Sequence, residues 1–416
     1  MGRGAAGRRL LLWLLFLCFC TVGTVYLPLI SDKLPVLGRI TYFQALLAIA
    51  ALLGIGTLLR VAGSSERSVA RTICRIITAY LLFEVLVVIP VAVWIGTANV
   101  KLILATMGVR VSWFLFPVML TVCADDRTRR FAGTALAIAA IGLVVWGVYL
   151  AATGGGGYYM ELGALRYRIL GGGASILVAW PFALAVSGAV SRRTTVAFLL
   201  VAITGLMLIN HRSDLIALAV AGAVCLAMSG QIRRVLPAIV PIALGALVIA
   251  AIWGRQLGSA FGYTMSHLFD IGSGNGADRM MRWRLAWNYI QSHPFNDYVW
   301  SWRYYSVNLP LVYQPHNFAL EIAGQEGVAG VLFYGSVLWT ALRSAWSWGR
   351  RDAEARALIG WLIAYIGFSL MNANHYLPSN MPILVGAVAA LVSRVDWLRR
   401  GDGGSPETEV LTEAHA

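Results

Sequence analysis

Charge is scarce in this chain. Of its 416 residues only 12% are Asp, Glu, Lys or Arg, while 59% are hydrophobic and the mean hydropathy is +0.72. A soluble domain carries roughly 25% charge, so an ordinary soluble globule is excluded. A polytopic membrane protein fits, because most of its residues meet lipid or another helix. Acids are scarcest: 19 Asp and Glu stand against 33 Lys and Arg, a formal net charge of +14. That excess does not point to nucleic acid, since the arginines punctuate apolar runs as membrane flanks do. Cysteine is also rare. Cys18, Cys20, Cys74, Cys123 and Cys225 fall in or at the ends of apolar runs and read as small apolar fillers. The six histidines have no zinc-type spacing, and no acidic pair demands magnesium, so a site without metal or cofactor is expected.

What the chain has is apolar length. Runs near 9–28, 39–59, 74–95, 101–122, 131–150, 169–190, 194–210, 213–229, 235–253, 328–346, 357–371 and 381–396 predict about twelve transmembrane helices in an all-α polytopic fold. The opening MGRGAAGRRLLLWLLFLCFCTVGTVYLPLI has the charge order of a signal peptide. Its apolar stretch is long for that role and many runs follow, so a retained first helix is expected. Arginines then mark alternate connectors: Arg3, Arg8 and Arg9; Arg60, Arg67 and Arg71; Arg127, Arg129 and Arg130; Arg192 and Arg193; Arg233 and Arg234; Arg350, Arg351 and Arg356; Arg394, Arg399 and Arg400. The opposite short connectors carry little more than Lys33, Arg39 and Lys101. The positive-inside rule therefore puts both termini in the cytoplasm.

One connector breaks the pattern. The expected organisation is membrane helices over 1–253, an exterior loop over 254–327, membrane helices over 328–400 and a disordered cytoplasmic tail over 401–416. A loop that long calls for structure of its own. Its stretch from Asp278 to Ser292 has helical spacing, with Met281, Leu285, Trp287 and Ile290 as one apolar stripe, and His293-Pro294 marks the end. This amphipathic helix is expected on the membrane surface or over the bundle.

Arginines on the exterior side run against the orientation rule and are the informative ones. Arg166 and Arg168 precede a span in LGALRYRILGGG. Arg212 sits in the short turn INHRSDL, and Arg279, Arg282 and Arg284 lie along the loop helix. The topology delivers them to one membrane face, where guanidinium forks suit phosphate oxygens. The structural alternative is snorkelling to headgroups or pairing with a carboxylate, as Arg212 with Asp214 or Arg279 with Asp278. Arg110, about nine residues into a run, is either intramembrane and functional or a bundle-shaping residue. His316 in YQPHNFALEIAGQEGVAG is either a cap or interfacial residue, or a base able to exchange protons near neutrality. Asn317 is placed to orient it or to bind a hydroxyl. His211, His293 and His375, the last in MNANHYLPSN, are alternative bases.

These motifs resemble the O-antigen ligase and polymerase superfamily of bacterial inner-membrane glycosyltransferases. Its late signature is an exterior Arg-x-x-x-Trp helix closed by His-Pro, then His-Asn, then an acidic residue with Gly-x-x-Gly and a span. Here the matches are Arg279 with Trp283, His293-Pro294, His316-Asn317, and Glu326-Gly327 with Gly330. A Ser-Arg pair at an exterior turn corresponds to His211, Arg212 and Ser213, with the serine after the arginine. An Arg-x-x-Gly opening a span fits Arg168 and Gly171, but GGASI stands where Pro-Asn would follow. The glycine after His-Pro is absent from PFNDYVWSW.

The resemblance implies a GT-C-like membrane glycosyltransferase of the ligase branch. Its donor would be an undecaprenyl-diphosphate-linked O-antigen and its acceptor a sugar hydroxyl of lipid A–core, at a periplasmic site. It implies that Arg212 and Arg279 hold the diphosphate, that Arg166 and Arg168 assist, and that His316 takes the acceptor proton in one metal-independent, inverting step. Glu161, Asp278 and Glu326 remain alternative carboxylates, and Trp283, Trp287, Trp300 and Trp302 are either sugar platforms or interfacial aromatics. The same features suit an O-antigen polymerase or a protein-glycosylating relative. A secondary anion transporter is the rival from another class, though carriers place their site near the midplane between pseudo-symmetric halves.

Overall fold

A computed structural model describes residues 35–37, 40–94, 110, 112–153, 157–161, 164–170, 174–230, 275–292, 315, 317–371 and 381–402. The predicted runs at 9–28 and 235–253, together with His293, His316 and His375, lie outside these residues. A short hairpin of β1 (Pro35–Leu37) and β2 (Ile40–Thr41) leads into α1 (Tyr42–Gly63). Next come α2 (Val69–Phe83), a π turn at Glu84–Val88 and α3 (Ile89–Trp94). A 3₁₀ turn at Ser112–Phe114 opens α4 (Leu115–Cys123), which is followed by α5 (Asp126–Ala152). A second antiparallel hairpin, β3 (Gly157–Glu161) with β4 (Ala164–Arg168), then precedes α6 (Ala174–Ser187), α7 (Arg192–Ile209) and α8 (Arg212–Ser229). The remaining helices are α9 (Asn275–Ser292), α10 (Phe318–Arg351), α11 (Ala353–Met371) and α12 (Met381–Asp402).

The chain is a helical membrane protein. Five helical segments are long and apolar enough to cross a bilayer: Val69–Val91, Asp126–Ala152, Arg192–Ile209, Glu326–Arg351 and Ala353–Leu370. Their outward residues are greasy: Leu86 is 67% exposed, Ile138 61% and Leu332 64%, as a lipid-facing surface requires. Local signals set the ends. Ser68, Asp125, Ser191 and Asn317 each accept a backbone N–H three residues on, closing the first turn of α2, α5, α7 and α10. Asn210 and Gly230, both left-handed, end α7 and α8.

The core forms around α11 and α12, whose Ile359, Leu362, Phe368, Ile383, Leu384, Val388 and Leu391 are fully enclosed. Helix α11 packs against α6, α8, α10 and α12. Small residues let α8 and α11 approach closely. A Cβ on Gly360 would lie 2.4 Å from Cys225 Sγ, and one on Gly367 would lie 2.7 Å from Ala217 Cβ. Because Cys225 meets Gly360 while Ala217 meets Gly367, the two helices run antiparallel. Helix α10 is also antiparallel to α11, joined to it through Asp352 with Gly349 against Ile359. Helices α8 and α10 therefore run the same way, with Met228 beside Gly349 near their C-terminal ends.

That end gathers the basic connectors. Arg129 pairs with Asp126 and Glu354, and Arg394 with Asp126 at 3.2 Å and Asp352 at 2.7 Å. Asp396 accepts the Val69 and Ala70 N–H groups at 3.0 Å, and Arg356 donates to Ser187 O at 2.6 Å. Connectors separated by hundreds of residues thus meet at one pole of the bundle.

Several expectations need correction. The helical fold class stands, with two short antiparallel hairpins added in the connectors. The run foreseen at 328–346 lies within the apolar span Glu326–Arg351 of α10, whereas α12 continues through Gly401 and Asp402, at the start of the expected disordered tail. The loop helix forms at Asn275–Ser292, but Ala286 and Ile290 are its buried residues, while Met281 and Trp287 are 48% and 52% exposed. Its body-facing side is 279, 283, 286 and 290, so of the foreseen stripe Ile290 packs inward while Met281 and Trp287 face out.

Candidate functional site

Two structural corners carry the sequence candidates. The first is the turn between α7 and α8. The Ile169 and Leu170 N–H groups, directly after β4, donate to Leu208 O at 3.1 and 3.2 Å. This ties the end of the Arg166–Arg168 strand to the residue just before the 209–214 turn. Within β3–β4, Tyr159 pairs with Arg166 and Gly157 with Arg168. At the turn, Asn210, His211, Ser213 and Asp214 are all buried. His211 Nδ1 lies 2.9 Å from Asp214 Oδ1 and 2.6 Å from Ser213 Oγ, and the serine hydroxyl donates to the same carboxylate at 3.3 Å. A carboxylate partner assigns the proton to Nδ1, which leaves Nε2 of a neutral ring as the acceptor. Asp214 is thus engaged by His211. The side chains of Arg166, Arg168 and Arg212 lie outside the described residues.

The second corner joins α9 to the start of α10. Trp283 Nε1 donates to Pro315 O at 2.8 Å, so the arginine-bearing helix is fastened to the residue immediately before His316. Immediately after it, Asn317 Oδ1 accepts the Leu320 N–H at 3.0 Å as the cap of α10. On α9, Arg279 shares the body-facing side with Trp283, Ala286 and Ile290, and Arg282 is half-buried beside it. Arg284 is exposed on the outer side with Met280 and Trp287, so the three arginines do not form one row.

Helix α10 is broken. Gly327 adopts φ 64°, ψ −164°, a region essentially reserved for glycine. The Phe318 and Tyr334 rings meet edge-to-face with centroids 5.5 Å apart. Sixteen residues of straight helix would separate them by about 24 Å. The segment from Phe318 to Glu326 therefore folds back on the span that follows, and a Cβ on Gly330 would fall 2.3 Å from Glu326 Cβ. A glycine at each of these positions is what the reversal needs.

Beneath this fold-back lies a buried polar cluster. Tyr80 Oη donates to Glu326, and Arg110 Nε stands 3.4 Å from Glu84 Oε2, with both side chains enclosed. Tyr80 stacks on Phe333 at 4.1 Å, and Trp113 packs edge-on against Phe333 and Tyr334. Glu84 begins the π turn, a local widening common at functional positions. No protein-family model and no curated protein matches the sequence of this chain. The described geometry must therefore carry the functional reading.

That geometry draws together two groups of the foreseen residues: His211 with the strand bearing Arg166 and Arg168, and Arg279, Arg282 and Trp283 with the backbone flanking His316. The helices these groups open, α8 and α10, pack on each other and run the same way. Arg110 belongs instead to the supporting cluster. His375 lies outside the described residues. Sequence reading passes over Tyr80 and Glu84, although a glutamate inside an apolar run is itself an intramembrane signal. Among the described residues, no group of three or more His, Cys, Asp or Glu side chains is arranged to hold a metal ion.

Proposed function

We propose that this chain is a membrane glycosyltransferase of the O-antigen ligase type. It moves a glycan from undecaprenyl diphosphate to a sugar hydroxyl of lipid A–core, at the outer face of a bacterial inner membrane. In this reading the chain crosses the bilayer about twelve times in a GT-C-like arrangement, with both termini in the cytoplasm. The observation that carries it is the Trp283–Pro315 hydrogen bond, which fastens a helix of three arginines to the segment containing His316.

The chemistry follows from the groups so collected. Prenyl diphosphate is already a good leaving group, so the protein's task is to neutralise charge that grows as the anomeric C–O bond breaks. Arg279 and Arg212 do this as fixed guanidinium donors, with Arg166, Arg168 and Arg282 adding positive potential at the donor headgroup. His316 accepts the proton of the acceptor hydroxyl, which attacks opposite the diphosphate and inverts the anomeric centre. His211, with Nδ1 fixed by Asp214, offers a second imidazole at the neighbouring corner. Asn317, its Oδ1 occupied by capping, keeps its amide N–H₂ for a sugar hydroxyl.

Transfer in membranes supplied with polyprenyl-diphosphate glycan tests this directly. Lipid A–core as acceptor should yield the ligated product. Arg279→Ala or Arg212→Ala should lower the rate roughly 10²- to 10³-fold, and His316→Ala should remove most of it with the protein still folded. Near-wild-type transfer by His316→Ala would sink the assigned base. A lengthened lipid-diphosphate glycan as the sole product would identify a polymerase instead.

A further inference from the structure

The pole that collects the basic connectors holds two different kinds of charge. In one, arginines and acids neutralise each other: Arg129, Arg130 and Arg394 are interleaved with Asp126, Asp352 and Glu354. A few residues away the balance fails. A cavity of about 260 Å³ is lined by Arg67, Arg71, Arg75 and Arg399, with Ser68, Thr72, Thr340 and Ser344 between them, and no carboxylate among its walls. None of these four arginines makes an ion pair among the described residues. Of the nearby acids, Asp396 is spent on the Val69 and Ala70 N–H groups, and Glu66, next to Arg67 in sequence, is exposed and outside the cavity wall.

The cavity is built from three helices. Ser68, Arg71, Thr72 and Arg75 repeat at three- and four-residue intervals on one face of α2 and its cap, opposite Thr340 and Ser344 four apart on α10. Some of the arginines are held by backbone: Arg71 Nη1 donates to Ser65 O at 3.3 Å and Arg75 Nε to Ala62 O at 2.9 Å. Arg71 Nε is closed off from solvent and meets no hydrogen-bond acceptor. A buried donor left in this way normally has a partner that binds there. Four like charges, hydroxyl donors and an unfilled N–H describe a receptor for a phosphate.

Its surroundings identify the carrier. Trp346 and Trp397, five residues from the ends of α10 and α12 and close in sequence to Ser344 and Arg399, are 45% and 43% exposed. Exposed tryptophans at the end of a greasy span mark the headgroup level of a bilayer. We propose that this four-arginine cavity binds the headgroup of an anionic phospholipid. The lipid's phosphate engages the guanidinium groups and Ser/Thr hydroxyls, while its acyl chains lie along the outer face of α10. It pins α2, α10 and α12 together at one point and stands apart from the glycosyl-transfer reading.

The test uses the purified full chain in neutral detergent micelles, with thermal unfolding followed as phosphatidylglycerol, phosphatidylcholine or inorganic phosphate is added. Phosphatidylglycerol should raise the midpoint saturably. The mild variant Arg67→Gln/Arg399→Gln, altering two exposed side chains, should weaken half-saturation about 10- to 30-fold. A charge-matched control, Arg192→Gln/Arg350→Gln, removes two exposed arginines outside the cavity and should leave it unchanged. Equal losses in both variants would reduce the effect to a general basic surface and overturn the proposal. So would an equal response to phosphatidylcholine, or a full response to inorganic phosphate alone.

Discussion

Arg110 and Glu84 are among the most completely enclosed charges described, and neither is affordable alone. Their 3.4 Å approach offsets part of the desolvation cost, with Tyr80 and Glu326 adding a second polar contact nearby. Glu84→Gln withdraws that countercharge and should destabilise the protein by about 3–5 kcal/mol. The double variant Glu84→Gln/Arg110→Met should recover much of the loss, as read by thermal unfolding in detergent. An undiminished loss in the double variant would show that the pair is held for something beyond its own electrostatics. Asp352 makes a different case, outside the spans. Burial opposes its charge, but hydrogen bonds from Arg394 and the Ala355 N–H outweigh it and hold the carboxyl below its ordinary value of 3.8. A depressed carboxylate adds stability that is complete above the unfolded value and is lost as pH falls through the folded one. Acid unfolding should therefore begin earlier and be shallower in Asp352→Asn, with little pH dependence left from this site. Of these residues Arg110 stood out in the sequence as an arginine well inside an apolar run. Its partner was not, because one glutamate in an apolar run gives no hint of which distant helix it will face.

Among the elements, α9 shows both the reach and the limit of periodicity. Its presence could be read from helical spacing, although it opens at Asn275 and not at the expected Asp278. Its buried face could not, since Met280, Met281 and Trp287 are as apolar as the residues that pack inward. A helix between protein and lipid has two greasy sides, and hydrophobic spacing cannot rank them. The fold-back of α10 was hidden for another reason: helical spacing continues on both sides of Gly327, and only the Gly-x-x-Gly pair betrays it. That glycine is the element's decisive residue. Gly327→Ala puts a Cβ where φ is 64°, at a cost of about 1–3 kcal/mol, and the cheaper outcome is a straightened helix. Cysteines introduced as Phe318→Cys and Tyr334→Cys should be joined by a short bifunctional thiol cross-linker, and adding Gly327→Ala should suppress that product. Under the proposed function, glycan transfer should fall with it, because the residues flanking His316 move with the segment. Cross-linking that survives Gly327→Ala unchanged would show that Tyr80 and Glu326 hold the reversal without help from the glycine.

For the whole molecule, the deciding question is which parts share a side of the membrane. Hydrogen bonds and ion pairs gather residues 68–70, 126–130, 187, 352–356 and 394–396 at one pole. The direction of α8 and of the α10 span after Gly327 carries their starts toward the other, with 318–326 folded back beside that end. The arginine pattern foretold this partition, because charge is expelled from lipid whatever the helices' packing. Single cysteines placed on a background lacking the native five provide the check. Arg212→Cys and Asn317→Cys should react with an impermeant maleimide added outside intact spheroplasts. Arg130→Cys and Arg350→Cys, both exposed at the basic pole, should react only after the membrane is opened. Labelling of 212 and 317 from opposite sides would separate Arg212 from the imidazole segment by a bilayer. No single transfer site could then contain both, and the glycosyltransferase reading would fall while the basic pole and its lipid cavity stood unaffected.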